Sequence, residues 1–120
     1  MDKDAVYFVV SLNIHEGKLD TFKEIAEAMI AITRKEPGAF AYEWHFSSDG
    51  KRCRLLETYV DQKAVSAHMG GTAVQQFGPK LLQISSASSF EIYGDPGASA
   101  GMLTAMGAQI FERWKGISTG

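Results

Sequence analysis

One histidine, His68, is the residue of this chain best suited to acid–base chemistry. It stands at the end of a short predicted helix, just before the Gly70-Gly71 pair. An ordinary imidazole has a pKa of about 6.5, so it can accept or donate a proton near neutral pH. The alternative is structural, because a histidine at a helix C-terminus can hydrogen-bond a carbonyl and interact favourably with the helix dipole. His68 is therefore a candidate catalytic base, with the structural role left open.

Glu57 is the second catalytic candidate, because it falls on a predicted strand face that is otherwise mostly apolar. A charged and unpaired carboxylate in such a place is costly. Glu57 should therefore either meet a partner, such as Tyr42 or His68, or have a raised pKa that suits it to proton transfer. Of these interpretations, structural pairing is the one that we favour.

Three aromatic residues on the same predicted face, Trp44, Tyr42 and Tyr59, are candidates for substrate binding. They could line a flat cleft that sandwiches a planar aromatic ligand, since such a pocket needs stacking surfaces and a few convergent polar groups. An aromatic stripe at period two is also typical of a hydrophobic core, and this alternative stays open. Asn13, near the end of the first predicted strand, is a further candidate for the pocket.

The elements that must position these residues follow from hydrophobic periodicity. Residues 6–14 alternate as a first strand. Helical spacing then begins near Gly17 and ends near Glu36, because Pro37-Gly38 cannot continue a helix. Further strands are predicted at residues 40–46, 52–60 and 88–93, and short helices at 61–68 and 72–82.

Asp49-Gly50 is a strong hairpin signal that fixes how the second and third strands should pair. If these two residues form the turn, His45 lies opposite Arg54 on one face of the sheet. The other face then carries four cross-strand pairs, which are Phe46 with Cys53, Trp44 with Leu55, Tyr42 with Glu57 and Phe40 with Tyr59.

The β-α-β-β-α-β order predicts an α+β fold of the ferredoxin-like type, an antiparallel sheet with helices on one face. We expect residues 1–94 to form this domain and residues 95–120 to form a C-terminal extension with a helix over 100–106 and a strand over 109–114. The extension carries Ile110, Phe111 and Trp114, too much apolar surface for a free tail. It should therefore pack on this domain or on a partner subunit.

Composition argues against several classes of function. The 12 basic and 14 acidic residues give a net charge of -2 and are scattered, which disfavours a nucleic-acid partner. No apolar run approaches the roughly 18 residues of a membrane span and no export signal is present, so we expect a cytoplasmic protein with no membrane partner. Cys53 is the only cysteine and no nucleotide or metal motif occurs, so neither a metal nor a cofactor is expected.

Residues 57–68 read E-x-Y-x-D-x-x-A-x-x-x-H. This pattern resembles the signature of the antibiotic biosynthesis monooxygenase family, including its quinol monooxygenase-like members. Lys35-Glu36-Pro37-Gly38, which leads into the second strand, is a supporting match. The resemblance covers residues 6–93 and is more specific for the fold than for the reaction.

The resemblance implies a dimeric α/β barrel, in which the sheets of a homodimer associate face to face and each subunit holds a cleft between sheet and helices. It also implies cofactor-independent oxygenation of a small phenolic or hydroquinone substrate to a quinone by dioxygen, with His68 as the base. The haem-binding branch of the superfamily has an axial histidine where this chain has Gln76-Phe77-Gly78-Pro79, so haem is not expected.

Two other functions stay open at this point. The same fold hosts several reactions, so an isomerase of a small carbonyl or phosphorylated metabolite is one alternative. The other is a non-catalytic, ligand-binding or stress-associated dimeric domain. Aromatic walls in the cleft would favour a phenol, basic side chains would favour a phosphorylated ligand, and a collapsed pocket would argue against catalysis.

Overall fold

Five strands and four α-helices make up the computed structural model, which describes residues 3–117. The strands are β1 (Val6–Ile14), β2 (Ala39–Phe46), β3 (Arg52–Tyr59), β4 (Ser85–Tyr93) and β5 (Gln109–Phe111). The helices are α1 (Leu19–Thr33), α2 (Gln62–Met69), α3 (Gly78–Gln83) and α4 (Ala100–Ala105), with a π-helical turn at Ala73–Phe77 and a 3-10 turn at Gly97–Ser99. No helix within residues 3–117 is long and apolar enough to cross a membrane.

The strands form one sheet in the order β2-β3-β1-β4-β5. Neighbouring strands are antiparallel except for β4 and β5, which run parallel. The predicted α+β fold of the ferredoxin-like type is therefore confirmed, and the fifth strand makes the sheet mixed rather than purely antiparallel. β4 begins at Ser85, earlier than the predicted residue 88, and β5 ends at Phe111, earlier than the predicted residue 114.

The β2–β3 hairpin keeps most of the predicted register, and this register sets the candidate residues on one face. His45 lies opposite Arg54 on the other face, as predicted. The confirmed pairs of the first face are Phe46 with Cys53, Trp44 with Leu55 and Tyr42 with Glu57.

Two details of the predicted hairpin are wrong. The Ser47 N–H donates to the Arg52 carbonyl at 2.9 Å, so the connection is a four-residue loop at 48–51 rather than a two-residue turn. The four-residue loop has the same centre as the predicted turn at Asp49-Gly50, so the cross-strand pairs next to it are unchanged. The predicted pair of Phe40 with Tyr59 does not form, because a bulge sets Ala39 opposite Tyr59 and leaves Phe40 60% exposed.

The core lies on the helix-covered face of the sheet and consists of two clusters of buried side chains. One, under α1, contains Leu12, Phe22, Met29, Cys53, Ala73 and Leu81. The other, under α2 and α4, contains Val6, Phe8, Tyr59, Val65, Met69, Ile92, Leu103 and Ala108. Full burial of one large apolar side chain contributes about 1.5–3 kcal/mol. Tyr42 packs on the first cluster and Tyr59 belongs to the second, so the candidate site lies where the clusters meet.

The opposite face of the sheet is open over the described residues. Its partly exposed apolar side chains are Tyr7, Leu56, Tyr93 and Phe111, and the last two stack with ring centroids 5.2 Å apart. The C-terminal segment packs on the same chain through fully buried Leu103 of α4 and through the pairing of β5 with β4. Trp114 lies beyond β5 and is 84% exposed, so of the two expected surfaces it does not pack on this domain, and packing on a partner subunit stays a prediction.

Candidate active site

The sequence brings His68 over β3 because α2 begins almost directly after that strand. The Asp61 carboxylate caps α2 by accepting the Ala64 backbone N–H at 2.9 Å, which fixes where the helix begins. His68 occupies the last turn of α2 and points inwards, where it is only 2% exposed. Glu57 and Tyr59, two residues apart on β3, present their side chains to the same face.

The imidazole of His68 is held between two carboxylates. Its Nδ1 lies 2.8 Å from Oε1 of Glu36, which sits in the turn between α1 and β2. Its Nε2 lies 3.5 Å from Oε1 of Glu57, beyond an ordinary hydrogen bond. Both ring nitrogens thus face carboxylates, whereas the structural alternative weighed from the sequence paired one of them with a backbone carbonyl.

Glu57 is buried, only 5% exposed, and accepts a short hydrogen bond from the Tyr59 hydroxyl. Burial raises the pKa of Glu57 because it disfavours the charged carboxylate, and the negative charge of Glu36 raises it further. The neighbouring His68 and the Tyr59 hydroxyl lower it in part. Glu57 therefore has both partners and a raised pKa, the two properties that were alternatives from the sequence.

Tyr42 and Tyr59 flank the imidazole, with ring centroids 5.4 Å and 5.1 Å from that of His68. Burial and the adjacent Glu57 raise the pKa of both phenols. Each phenol therefore stays protonated at neutral pH, and that of Tyr59 donates to Glu57. Tyr59 is fully buried, whereas Tyr42 is half-buried and reaches the surface.

Trp44 lies beside Tyr42 and contributes an unpaired donor. Its ring packs edge-on against Phe22 and Tyr42, with centroids 5.8 Å and 5.7 Å apart. Its indole Nε1 is buried and has no hydrogen-bond partner among the described residues. A buried donor without a partner costs about 1–3 kcal/mol, so this N–H is an unsatisfied polar group beside the array.

Two grooves approach the site from the surface, each with a volume of about 290 Å³. The first lies between α1 and β2, and Tyr42 forms part of its wall. The second is lined by Glu36, Pro37, Gly38, Ala39, Val60, Asp61, Lys63, Ala64 and Ala67. Tyr42 thus connects the first groove to the imidazole, and Glu36 connects the second.

The structure brings together His68, Glu57, Tyr59, Tyr42 and Trp44 but not Asn13. Asn13 is exposed and lies on the opposite face of β1 from Leu12. Glu36, which is not among the site residues predicted from the sequence, completes the array. The sequence feature that could have indicated Glu36 is its place in Lys35-Glu36-Pro37-Gly38, the supporting match to the family pattern.

The array is suited to proton transfer rather than to metal binding. Glu36 and Glu57 face different nitrogens of the ring, so the two carboxylates and the imidazole do not converge on one point. Within residues 3–117, no three or more His, Cys, Asp or Glu side chains are placed so that they could hold a metal ion together. Burial raises the pKa of the Cys53 thiol to about 11, which leaves it a poor nucleophile. An imidazole between two carboxylates can take up, hold and pass on a proton.

Comparison with known proteins places this geometry in a family. The family model described as antibiotic biosynthesis monooxygenase matches residues 5–80. The chain belongs to this family. The matched segment includes every residue of the acid–base array and ends before β4, α4 and β5. No curated protein sequence matches the chain.

Solved structures of the same fold include proteins from several bacteria. MupZ from Pseudomonas fluorescens is 23% identical with a TM-score of 0.82, over 96% of this chain and 94% of that one. SnoaB from Streptomyces nogalater, a cofactor-independent oxygenase, is 15% identical with a TM-score of 0.67, over 77% and 93%. Rv0793 from Mycobacterium tuberculosis is 20% identical with a TM-score of 0.64, over 75% and 94%. At identities this low, the similarity shows that the chain shares the fold of these three proteins.

Proposed function

We propose that this family member is a cofactor-independent monooxygenase that oxidises a phenolic or hydroquinone substrate to a quinone. The observation that carries the proposal is the buried imidazole of His68, which lies between two carboxylates and next to aromatic side chains. SnoaB, which has the same fold, is described as a cofactor-independent oxygenase. The substrate itself supplies the electrons for the reduction of dioxygen.

His68 removes the phenolic proton, and Glu36 positions it for this step. A carboxylate at Nδ1 holds the proton on that nitrogen and leaves Nε2 as the basic atom. The substrate ring enters by the groove between α1 and β2, where Tyr42 is the wall residue in contact with the imidazole. The positive charge that develops on His68 is offset by Glu36.

The phenolate then reduces dioxygen, and a hydroperoxide forms on a ring carbon. When this hydroperoxide collapses, the O–O bond breaks and His68, which has returned its first proton to the peroxide, takes the proton from the same ring carbon. One oxygen atom stays on the ring as a carbonyl and the other leaves as water. The substrate thereby loses two hydrogen atoms and gains one oxygen atom, so no external reductant is needed. Glu57, whose raised pKa favours its protonated form, supplies the proton that the departing oxygen requires.

The proposal includes a homodimer with the predicted sheet-to-sheet contact. The partly exposed Tyr7 and Leu56 on the open face of the sheet support it, since a second sheet would remove this apolar surface from water. Trp44, Tyr59, Tyr42 and Asn13 remain the proposed substrate-binding residues. Of these, Asn13 faces the open side and would belong to the pocket only if the partner sheet completes it.

Oxygen uptake tests the function directly. The purified protein is given a panel of hydroquinones and anthrones in the presence of a metal chelator, and isotopically labelled dioxygen identifies the source of the new carbonyl oxygen. Uptake should survive chelation, and one labelled atom should appear in the product. His68→Asn should lower the rate at least about a hundredfold, in the range of a lost general base.

His45→Asn is the matched control, because His45 is an exposed histidine whose Nε2 lies 3.2 Å from a glutamate, on the face of the sheet away from the array. It should leave the rate unchanged. Thermal denaturation shows whether each variant is folded. Absence of uptake with every substrate, or equal rates for wild type and folded His68→Asn, would contradict the proposal and favour the isomerase or ligand-binding alternatives.

A further inference from the structure

The groove between α1 and β2 is lined in part by polar side chains that have no role in the proposed oxygenation step. Half of its wall is apolar and consists of Ile30, Ala39, Phe40 and Ala41. The polar half consists of Thr33, Arg34, Tyr42 and Glu43. A flat aromatic ring needs the apolar half alone, so the polar half indicates a second feature of the ligand.

Thr33 is the first observation that points to that feature. The residue is only 1% exposed, and its hydroxyl has no hydrogen-bond partner among the described residues. The hydroxyl is near enough to Tyr42 to lower the pKa of that phenol slightly, but the two do not form a hydrogen bond of good geometry. A residue of the groove wall thus has a buried hydroxyl with unused hydrogen-bonding capacity.

Arg34 is the second observation. This exposed guanidinium follows Thr33 at the end of α1 and forms no ion pair within the described part of the chain. The two nearby carboxylates have other partners, since Glu43 lies 3.2 Å from His45 and Glu36 lies 2.8 Å from His68. Of the two charged side chains in the groove wall, Glu43 thus has a neighbour at 3.2 Å, and the Arg34 guanidinium is left with unused donors.

We propose that this groove binds an anionic oxygen group, such as a carboxylate, carried on the aromatic ring of the substrate. The Arg34 guanidinium and the Thr33 hydroxyl hold the carboxylate, while the ring lies along Phe40 and Tyr42 and points its phenol towards His68. A planar guanidinium matches the two oxygens of a carboxylate, and such charge-assisted hydrogen bonds are stronger than neutral ones. The inference deepens the proposed function by naming the substrate class.

Three ligands of nearly one shape test this subsite. Hydroquinone lacks the carboxylate, gentisate is hydroquinone with one carboxylate, and gentisamide replaces that carboxylate with a neutral amide. Their affinities are measured by calorimetry without oxygen, so binding is separated from turnover. Wild type should bind gentisate about tenfold more tightly than either neutral ligand, and Arg34→Gln should abolish this preference. Lys35→Gln removes the same charge one residue further on, outside the groove wall, and should preserve the preference.

Thr33→Val provides a second variant that keeps the shape of the side chain. Because the Thr33 hydroxyl has no protein partner, this variant should keep or raise Tm while it weakens gentisate binding severalfold. Equal affinities for the three ligands, no binding of gentisate, or a preference that survives Arg34→Gln would each overturn the subsite. Retained gentisate preference without oxygen uptake would instead overturn the oxygenase function and leave the subsite standing.

Discussion

Replacing Glu57 with glutamine should remove one specific dependence of stability on pH. Burial raises the pKa of Glu57 above its ordinary value of about 4.3, so the folded state holds this proton more tightly than the unfolded state. The resulting stabilisation is complete below the unfolded pKa and is lost as the pH rises through the folded pKa. Within that window, one differential proton changes the free energy of unfolding by up to about 1.4 kcal/mol per pH unit.

Glutamine keeps a side-chain oxygen that can accept the hydrogen bond from the Tyr59 hydroxyl, but it cannot ionise. Wild type should therefore lose stability relative to Glu57→Gln as the pH rises from about 4, and 1 kcal/mol corresponds to roughly 4 °C in Tm for a domain of this size. Thermal denaturation of both proteins over a pH series measures the effect. The difference between their curves cancels the other groups that titrate in both proteins.

Glu91 is the matched control, because it accepts the Tyr93 hydroxyl at 2.8 Å in the same spacing along a strand but at the exposed surface. Glu91→Gln should give a curve nearly parallel to that of wild type. A difference between wild type and Glu57→Gln that stays constant with pH would refute the reasoning. So would a wild type that gains stability with rising pH, since His68 would then hold Glu57 as a charged partner.

Two further predictions concern Glu36 and Cys53. Glu36→Gln should lower kcat at least about tenfold and shift the pH–rate profile while KM changes little, because the amide cannot stabilise the charged imidazole. Glu36→Asp should recover part of the rate. An unshifted pH–rate profile would contradict this positioning role. Burial raises the pKa of the Cys53 thiol to about 11. Cys53 should therefore resist a disulfide reagent at about pH 8 in the folded protein and react fully in urea. Fast reaction of the folded protein would contradict the burial of this thiol.

The parts of the site that the sequence predicted are those fixed by local geometry. Glu57 and Tyr59 share a face because side chains alternate along a strand, and Tyr42 joins them through the hairpin register. His68 follows because the chain passes directly from β3 into α2. Each of these relations spans few residues, so periodicity alone is enough to determine them.

The parts that were missed depend on contacts distant in sequence or on irregular backbone. Glu36 meets His68 across 32 residues, and only the packing of α2 on the turn after α1 brings them together. The bulge at Phe40 breaks the alternation of β2 and has no signal in the hydrophobic pattern. Asn13 is a different case, because strict alternation with Leu12 on β1 already predicts that it faces away from the other candidates.

The proton count of the array connects its stability to its chemistry. Two carboxylates and one imidazole lie together in a buried place, where two negative charges with one compensating cation would be costly. A raised pKa of Glu57 reduces this cost, because a proton on Glu57 leaves one carboxylate, Glu36, to balance the imidazole when it accepts a proton. The same proton is the one that the proposed reaction returns to the departing oxygen. Glu57→Gln should therefore be more stable than wild type above the ordinary glutamate pKa and also slower, a combination that a purely structural role of Glu57 would not produce.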